Sequence, residues 1–181
     1  MPTLSQTILV HSFSRVVLFT LIEAHRLNKR IFVYVTQASP VNSGELMHQR
    51  LKEEGIRCRL ITDSAIGFFM DKVDVVLVGA EAVAKNGGII NQIGAYPLAV
   101  CAKAVNKPFY VLVESYKFSK LYPLKQEDIP KHLQFRDNAV VDEETCSVVD
   151  YTPPQFVTLL ITDLGPLATA AVSDVLMQLY V

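Results

Sequence analysis

Residues 7–36, TILVHSFSRVVLFTLIEAHRLNKRIFVYVT, decide the fold of this chain. The two ends of this stretch, residues 7–11 and 31–36, are apolar and rich in β-branched residues, as buried strands typically are. Between them, Ser14 is placed to cap a helix that runs to about Leu27, because apolar residues recur there at helical spacing. A strand, a helix and a second strand in this order predict a βαβ unit with parallel strands.

The same alternation continues along the chain. Further strands are predicted at 57–62, 73–79, 109–113 and 156–162, further helices at 45–54, 63–72, 92–105 and 169–179, and an extended loop at 114–149. This pattern predicts a single α/β domain over residues 1–181, a Rossmann-like parallel sheet flanked by helices on both faces. Ligands of such folds bind where the carboxyl ends of the strands meet. The loops that follow the strands are therefore the expected site.

Composition narrows the classes of function. The chain has 181 residues, a hydrophobic fraction of 50% and a formal net charge of -1, so neither nucleic acid nor a membrane is an expected partner. Cys58, Cys101 and Cys146 are widely spaced and form no CxxC pair, so no metal site or cofactor is expected. The start of the chain resembles no signal peptide, and a cytoplasmic location is expected.

The densest motif is residues 79–94, GAEAVAKNGGIINQIG, between a predicted strand and a predicted helix. Its glycines allow the backbone to turn tightly and to approach a ligand closely. The spacing fits neither GxGxxG nor the phosphate-binding GxxxxGK motif. From the residues alone, a small-anion site and a purely structural turn are equally compatible with this stretch.

A second motif follows the first strand. His11, Ser12, Ser14 and Arg15 could bind an anion or exchange protons at a strand end. The alternative is a capped helix start that carries one arginine. A Ser-His-Asp triad is not indicated, because Ser12 lies in no GxSxG turn.

Acidic residues follow several predicted strands, and Glu81 is the best placed of them for chemistry. Helix capping or hydrogen bonding within a loop is the alternative role for each. The candidates are Asp63, Glu81, Glu114, Asp150 and Asp163.

The predicted long loop contains an apolar and aromatic stretch. Its side chains either pack beneath the loop or form a surface for a partner, since exposed apolar patches often mark interfaces. The residues are Tyr116, Phe118, Leu121, Tyr122 and Leu124.

Together these motifs resemble the regulatory subunits of eukaryotic translation initiation factor 2B, the alpha subunits above all. The stretches that carry the resemblance are ILVHSFSRVV at 8–17, the run from VDVVLVGAEAVAKNGGIINQIG to VLVESYKF at 73–118, VDYTPPQFVTLLITDLGPL at 149–167 and AVSDVLMQLY at 171–180. They span nearly the whole chain, and the central run is long and specific.

The resemblance implies a domain organisation and a function. Members have a helical N-terminal domain before the Rossmann-like one, so this chain is expected to be the C-terminal domain of a longer protein. The implied role is regulatory and non-catalytic. The implied partners are the beta and delta subunits of the complex, a second copy of the chain, and the phosphorylated alpha subunit of initiation factor 2.

The same superfamily contains isomerases of methylthioribose-1-phosphate and ribose-1,5-bisphosphate. They resemble this chain but carry a cysteine where Ser12 stands, an aspartate where Glu81 stands and a lysine where Gln92 stands. Serine is a weaker acid than cysteine, and glutamate is one methylene longer than aspartate. Isomerase activity is therefore the less favoured alternative, beside a site that binds a sugar phosphate or nucleotide without turnover.

The resemblance also implies which residues remain of the pocket. No catalytic residue is assigned. The predicted ligand-binding residues are His11, Ser12, Ser14, Arg15, Glu81, Asn86, Gly87, Gly88 and Asn91.

Overall fold

The structure is a computed structural model that describes residues 5–134 and 147–179. The strands are β1 (Gln6–His11), β2 (Ile31–Thr36), β3 (Cys58–Ile61), β4 (Val75–Val78), β5 (Ala82–Val83), β6 (Ile89–Gln92), β7 (Phe109–Leu112), β8 (Val149–Thr152), β9 (Leu159–Thr162) and β10 (Gly165–Leu167). The α-helices are α1 (Arg15–Arg26), α2 (Ser43–Glu53), α3 (Ile66–Met70), α4 (Ala95–Ala104), α5 (Lys131–Gln134) and α6 (Val172–Leu179). Short 3-10 turns are Asp63–Ala65, Ser115–Lys117, Gln126–Asp128, Pro154–Phe156 and Thr169–Ala171.

The main sheet has seven strands in the order β10-β9-β7-β4-β1-β2-β3. All neighbouring pairs are parallel except β9 with β10, which form an antiparallel hairpin. The strand order reverses between β1 and β4, and in a doubly wound sheet such a reversal opens a crevice at the carboxyl ends of the strands. The predicted α/β class with a Rossmann-like sheet is confirmed, and the antiparallel edge strand is an addition to it.

Helices cover the two faces of the sheet. On one face, α1 and α2 bury Val17, Leu21, Met47 and Leu51 in a core with the side chains of β1 and β2. On the other face, α3, α4 and α6 contribute to a second core that also includes residues of β4 and β7. α1 and α2 each bury one stripe, as the helical spacing of their apolar residues requires.

A smaller sheet stands beside the main one, with strand order β5-β6-β8 and antiparallel pairing throughout. Ile89 of β6 belongs to the same buried cluster as the main sheet, whereas Ile90 and Tyr151 form a third cluster. The small sheet therefore packs directly onto the main core and carries its own apolar layer on the other side.

Several boundaries predicted from the sequence are wrong. The helices predicted at 63–72 and 169–179 each open with a 3-10 turn, so α3 begins at Ile66 and α6 at Val172. The helix predicted at 92–105 begins only at Ala95, because residues 89–92 pair with β8 as a strand. The strand predicted at 156–162 begins at Leu159, after a 3-10 turn that starts at Pro154. In its described part, the extended loop predicted at 114–149 contains two 3-10 turns and α5, and its last residue, Val149, lies in β8.

The aromatic stretch of that loop divides between its two predicted roles. Phe118 is 2% exposed and Leu121 packs against the third cluster, so these two are core residues. Tyr116, Tyr122 and Leu124 are instead 71%, 61% and 77% exposed. A partner surface at these exposed side chains stays a prediction.

Two features are absent from the described residues. No helix there is both long and apolar enough to cross a membrane. No group of three or more histidine, cysteine or carboxylate side chains lies in a metal-binding arrangement within those ranges. Cys146 lies outside the described residues.

Candidate functional site

A cleft of about 300 Å³ opens at the point where the strand order reverses. One wall is the loop after β1, and the opposite wall is the loop after β4 together with Asn91 of β6. The lining residues are Phe13, Ser14, Arg15, Val16, Gly79, Ala80, Glu81, Asn91, Glu114 and Lys117. Four of the predicted ligand-binding residues are thus brought together: Ser14, Arg15, Glu81 and Asn91.

Two cations face this cleft. Arg15 is exposed at the first turn of α1 and makes no ion pair with any carboxylate of the described ranges. The ammonium of Lys117 donates to the carbonyl oxygen of Ala80 at 3.0 Å and lies 3.2 Å from a carboxylate oxygen of Glu114. An exposed guanidinium with no ion pair among the described residues, beside an ammonium hydrogen-bonded to the backbone, is an arrangement suited to a phosphate or carboxylate group.

Asn91 adds a buried donor to the cleft. The residue is 5% exposed, and its side-chain Nδ2 has no hydrogen-bond partner within the described structure. Leaving a buried amide donor unsatisfied costs about 1–3 kcal/mol, so such groups usually have a function or a bound partner. An acceptor atom of a bound ligand would satisfy it.

Glu114 contributes negative charge to the same space. Burial raises the pKa of its carboxyl group, but its own backbone amide, Lys117 and Arg15 outweigh that effect and the pKa is lowered overall. Glu114 is therefore ionised at neutral pH. Its carboxylate accepts hydrogen bonds from hydroxyl groups well and repels a second anion.

The side chains of His11 and Ser12 are buried and do not line the cleft. His11 is 1% exposed, with Nδ1 2.7 Å from the Thr36 hydroxyl and Nε2 2.8 Å from the carbonyl oxygen of Ile93. Because a carbonyl oxygen only accepts, Nε2 carries the proton of the neutral ring. Burial lowers the pKa of His11, which keeps the ring neutral. This histidine joins β1, β2 and the turn after β6.

Ser12 has a strained backbone. Its φ is 62°, in the left-handed region, and its side chain is 3% exposed. A serine in that region costs on the order of 1–2 kcal/mol, and such strain is found most often at functional loops.

Asp150 of β8 fixes the backbone at the start of α4. Its Oδ2 accepts the amide protons of Gly94 at 2.8 Å and Tyr96 at 3.0 Å, which caps the start of α4. Its Oδ1 is buried without a hydrogen-bond partner among the described atoms, and Asp150 pairs across the small sheet with Asn91. Burial raises the pKa of Asp150 to about 6, against the lowering effect of the two amides.

Gly79 lets the two walls of the cleft approach each other. A Cβ atom at this position would lie 2.4 Å from the hydroxyl oxygen of Ser14 and 2.8 Å from its Cβ. Only a residue without a side chain allows the loops after β1 and β4 to pack this closely.

Asn86, Gly87 and Gly88 do not line the cleft. Asn86 donates to the hydroxyl oxygen of Tyr151 at 2.8 Å and to the carbonyl oxygen of Pro123 at 3.1 Å, and accepts from the amide of Gly88. Gly87 has a φ of +84°, and a Cβ there would lie 2.3 Å from the carbonyl oxygen of Thr169. These residues shape the turn between β5 and β6, and their assignment to ligand binding stays a prediction.

Comparison with known proteins identifies the fold family. The model of the Initiation factor 2 subunit family matches residues 3–169. The chain belongs to this family. The predicted resemblance to initiation factor 2B subunits is thereby confirmed.

Two relatives in the initiation factor 2 subunit family are alpha subunits. Translation initiation factor eIF2B subunit alpha of Dictyostelium discoideum is 46% identical over 188 residues, which cover 96% of this chain and 59% of that protein. The subunit alpha of Caenorhabditis elegans is 40% identical over 178 residues, covering 96% of this chain and 58% of that protein. The chain therefore spans less than two thirds of the length of either relative.

Isomerases are more distant relatives. Ribose 1,5-bisphosphate isomerase of Archaeoglobus fulgidus is 34% identical over 176 residues, covering 88% of this chain and 53% of that enzyme.

A solved translation initiation factor eIF-2B from Pyrococcus horikoshii OT3 superposes with a TM-score of 0.79 at 34% identity, covering 90% of this chain and 58% of that chain. The family thus contains both translation factors and enzymes.

The resemblance implies three positions at which this chain differs from the isomerases, and these positions lie in or near the cleft. Glu81 lines it, Ser12 lies in the loop that forms one wall, and Gln92 follows the cleft residue Asn91 on β6. Neither cysteine of the described residues lines the cleft, since Cys58 lies on β3 and Cys101 on α4.

Sequence reasoning did not single out Lys117 or Gly79 as site residues. Lys117 comes three residues after Glu114 in a 3-10 turn, and only the fold carries its ammonium to the loop after β4. A signal was present for Gly79, because a glycine that ends a buried strand often marks a close approach of two backbones.

Proposed function

We propose that this chain is the α/β domain of a non-catalytic, regulatory subunit of the exchange factor for translation initiation factor 2. The observation that carries the proposal is the identity of 46% and 40% to two alpha subunits across 96% of the chain, against 34% to an isomerase. In this role the protein assembles in the cytoplasm with the beta and delta subunits and with a second copy of itself. It also contacts the phosphorylated alpha subunit of initiation factor 2.

The chemistry near the cleft supports a role without turnover. The resemblance places a cysteine and an aspartate in the isomerases where this chain has Ser12 and Glu81. A serine hydroxyl stays protonated at neutral pH, and a carboxylate displaced by one methylene misses a geometry that proton transfer holds tightly. The full-length protein should therefore leave methylthioribose-1-phosphate unchanged. Conversion that Glu81→Gln abolishes would contradict this proposal and favour an isomerase.

Purification of the full-length protein from its native cells tests the assembly. An affinity tag on this subunit should recover the other exchange-factor subunits in stoichiometric amounts, as identified by mass spectrometry. Recovery of the protein alone as a homodimer would contradict membership in the complex.

The cleft favours a second role, the binding of a small phosphorylated metabolite. Arg15, Lys117 and the unpartnered Nδ2 of Asn91 converge on it, while Glu81 and Glu114 offer carboxylates to hydroxyl groups. A sugar phosphate carries both kinds of group. A nucleotide would in addition require space for its base within a cleft of about 300 Å³.

Thermal stabilisation tests the ligand. Ribose 5-phosphate and AMP are each added to the full-length protein, because a ligand that binds only the folded state raises the unfolding temperature. Stabilisation should be lost in Arg15→Ala and kept in Arg26→Ala, which removes an exposed arginine at the other end of α1. Equal shifts in both variants would exclude the cleft as the site. Asn86→Ala tests the remaining assignment, because loss of stabilisation there would bring that turn into the site.

A further inference from the structure

Gln92 lies at the end of β6. Both the oxygen and the nitrogen of its side-chain amide contact the segment that follows β2. Its Oε1 accepts the hydroxyl proton of Ser43 at 2.6 Å, and its Nε2 donates to the carbonyl oxygen of Ala38 at 3.0 Å. Because the Ala38 carbonyl can only accept, the reverse orientation of the amide would place two oxygens together. The side chain is therefore held in one orientation.

Ser43 extends this contact to the loop that forms the cleft wall. Its Oγ accepts the amide proton of Phe13 at 3.3 Å while donating to Gln92. Phe13 lies between the strained Ser12 and the cleft residues Ser14 and Arg15. The position of this loop thus depends on a hydroxyl group that Gln92 orients.

Ala38 extends the contact in the other direction. It has a φ of 59° and donates its amide proton to Oδ1 of Asp63 at 2.9 Å, and the next amide, of Ser39, donates to Oδ2 of Asp63 at 2.8 Å. The carboxylate of Asp63 thereby fixes the loop after β2 to the turn after β3. With Gln92, the loops after β1, β2 and β3 form one hydrogen-bonded unit.

We infer that Gln92 is a positioning residue for the cleft. Neither Gln92 nor Ser43 lines it, so both act through the backbone at Phe13. Without Gln92, the Ser43 hydroxyl is free to rotate away, and the loop carrying Ser14 and Arg15 loses the support that holds their geometry. The effect on ligand affinity rests on the metabolite-binding role proposed above, whereas the effect on the loop does not.

Amide hydrogen exchange tests the loop without any ligand. In Gln92→Ala, the amide of Phe13 should exchange roughly tenfold faster than in the wild type, because its acceptor is no longer oriented. Gln49→Ala is the matched control, since that side-chain amide is exposed and donates to Glu53 on the same helix. An unchanged exchange rate of Phe13 in Gln92→Ala would overturn the inference.

Gln92→Glu separates the hydrogen bond with Ser43 from the hydrogen bond with Ala38. It also serves as a second test if Gln92→Ala does not fold. A carboxylate still accepts from Ser43 but can no longer donate to Ala38. Exchange at Phe13 should therefore stay near the wild-type rate while exchange at Ala38 and Ser39 rises. Equal acceleration at all three amides would contradict the assigned orientation and overturn the inference.

Affinity for ribose 5-phosphate, measured by calorimetry on the full-length protein, forms the second arm. Gln92→Ala and Ser43→Ala should each weaken binding roughly tenfold, as loss of a group that orients a ligand-binding residue commonly does. The double variant should be no weaker than either single one, because both remove the same support. Additive losses would contradict a shared route. If the wild type binds no ligand, the metabolite role fails and the exchange arm alone decides the inference.

Discussion

At the scale of single residues, the cleft combines groups held in place with groups left unsatisfied. Both ring nitrogens of His11 have partners in the core, Thr36 and Ile93, whereas Nδ2 of Asn91 and Oδ1 of Asp150 have no partner among the described residues. Asn91 and Asp150 face each other across the small sheet. Asn91 lines the cleft, so one of these unsatisfied groups is available to a bound ligand.

The buried carboxyl of Asp150 predicts a pH dependence of stability. Its pKa in the folded state is about 6, above the ordinary value of 3.8, so the folded protein binds more protons between these two values. The stabilisation this gives is complete below about pH 4 and is lost as the pH rises through about 6. The difference between the two limits is about 3 kcal/mol.

Urea unfolding of wild type and Asp150→Asn between pH 4 and 7.5 measures this effect. An asparagine oxygen still accepts the amides of Gly94 and Tyr96 but does not titrate. The wild type should lose stability relative to the variant as the pH rises through 6. A constant difference across the range would show that Asp150 titrates normally.

Replacement of glycine by alanine should have opposite effects on stability at two positions. Gly79→Ala should destabilise the protein by about 1–3 kcal/mol, because the new methyl group overlaps the Ser14 side chain. Gly67→Ala is the control within α3, where a Cβ meets nothing within 4 Å, and it should stabilise by about 0.5–1 kcal/mol. Thermal unfolding compares the two. Equal effects would mean that the loops after β1 and β4 are further apart than described.

At the scale of elements, the segment between β7 and β8 connects the small sheet to the main one by packing and hydrogen bonding. Phe118 joins the main core and forms a parallel bridge with Val83 of β5, and the amide of Ser119 donates to the carbonyl oxygen of Val83 at 2.8 Å. A segment without strand periodicity thus provides both a core residue and strand-like pairing.

Phe118→Ala should therefore destabilise the protein by about 3–5 kcal/mol, the usual cost of removing a buried aromatic ring. Tyr116→Ala, two residues earlier and 71% exposed, is the control and should change stability by no more than about 0.5 kcal/mol. Chemical denaturation of both variants measures the difference. A small effect of Phe118→Ala would mean that this segment is not part of the folded core.

At the scale of the whole molecule, the two sheets should unfold together. Ile89 of the small sheet shares a buried cluster with Leu9 of β1 and Val76 of β4, so neither sheet can open without exposing the apolar surface of the other. Native-state hydrogen exchange at increasing denaturant measures this for the amides of β6 and β1. The free energies of opening should converge on one value. A separate, lower value for β6 would show that the small sheet opens on its own.

The local pattern of residues determined most of the main sheet. The strand at 31–36 was predicted with the observed ends, and those at 7–11 and 109–113 agree to within one residue. Apolar periodicity and β-branching are local properties, so they specify buried strands and amphipathic helices without knowledge of their neighbours. The same alternation predicted that the loops after β1 and β4 lie at one edge, and the structure places Ser14, Arg15 and Glu81 there.

Only the tertiary structure decided the small sheet and the residues that complete the cleft. Residues 89–92 become a strand by pairing with 149–152, a contact between segments about 60 residues apart that leaves no local period in either. That pairing carries Asn91 to the cleft, places Asp150 behind it, and leaves Asn86, Gly87 and Gly88 in the turn outside. A glycine-rich sequence allows a close approach of backbones but does not specify the partner, because the partner is chosen by contacts distant in the chain.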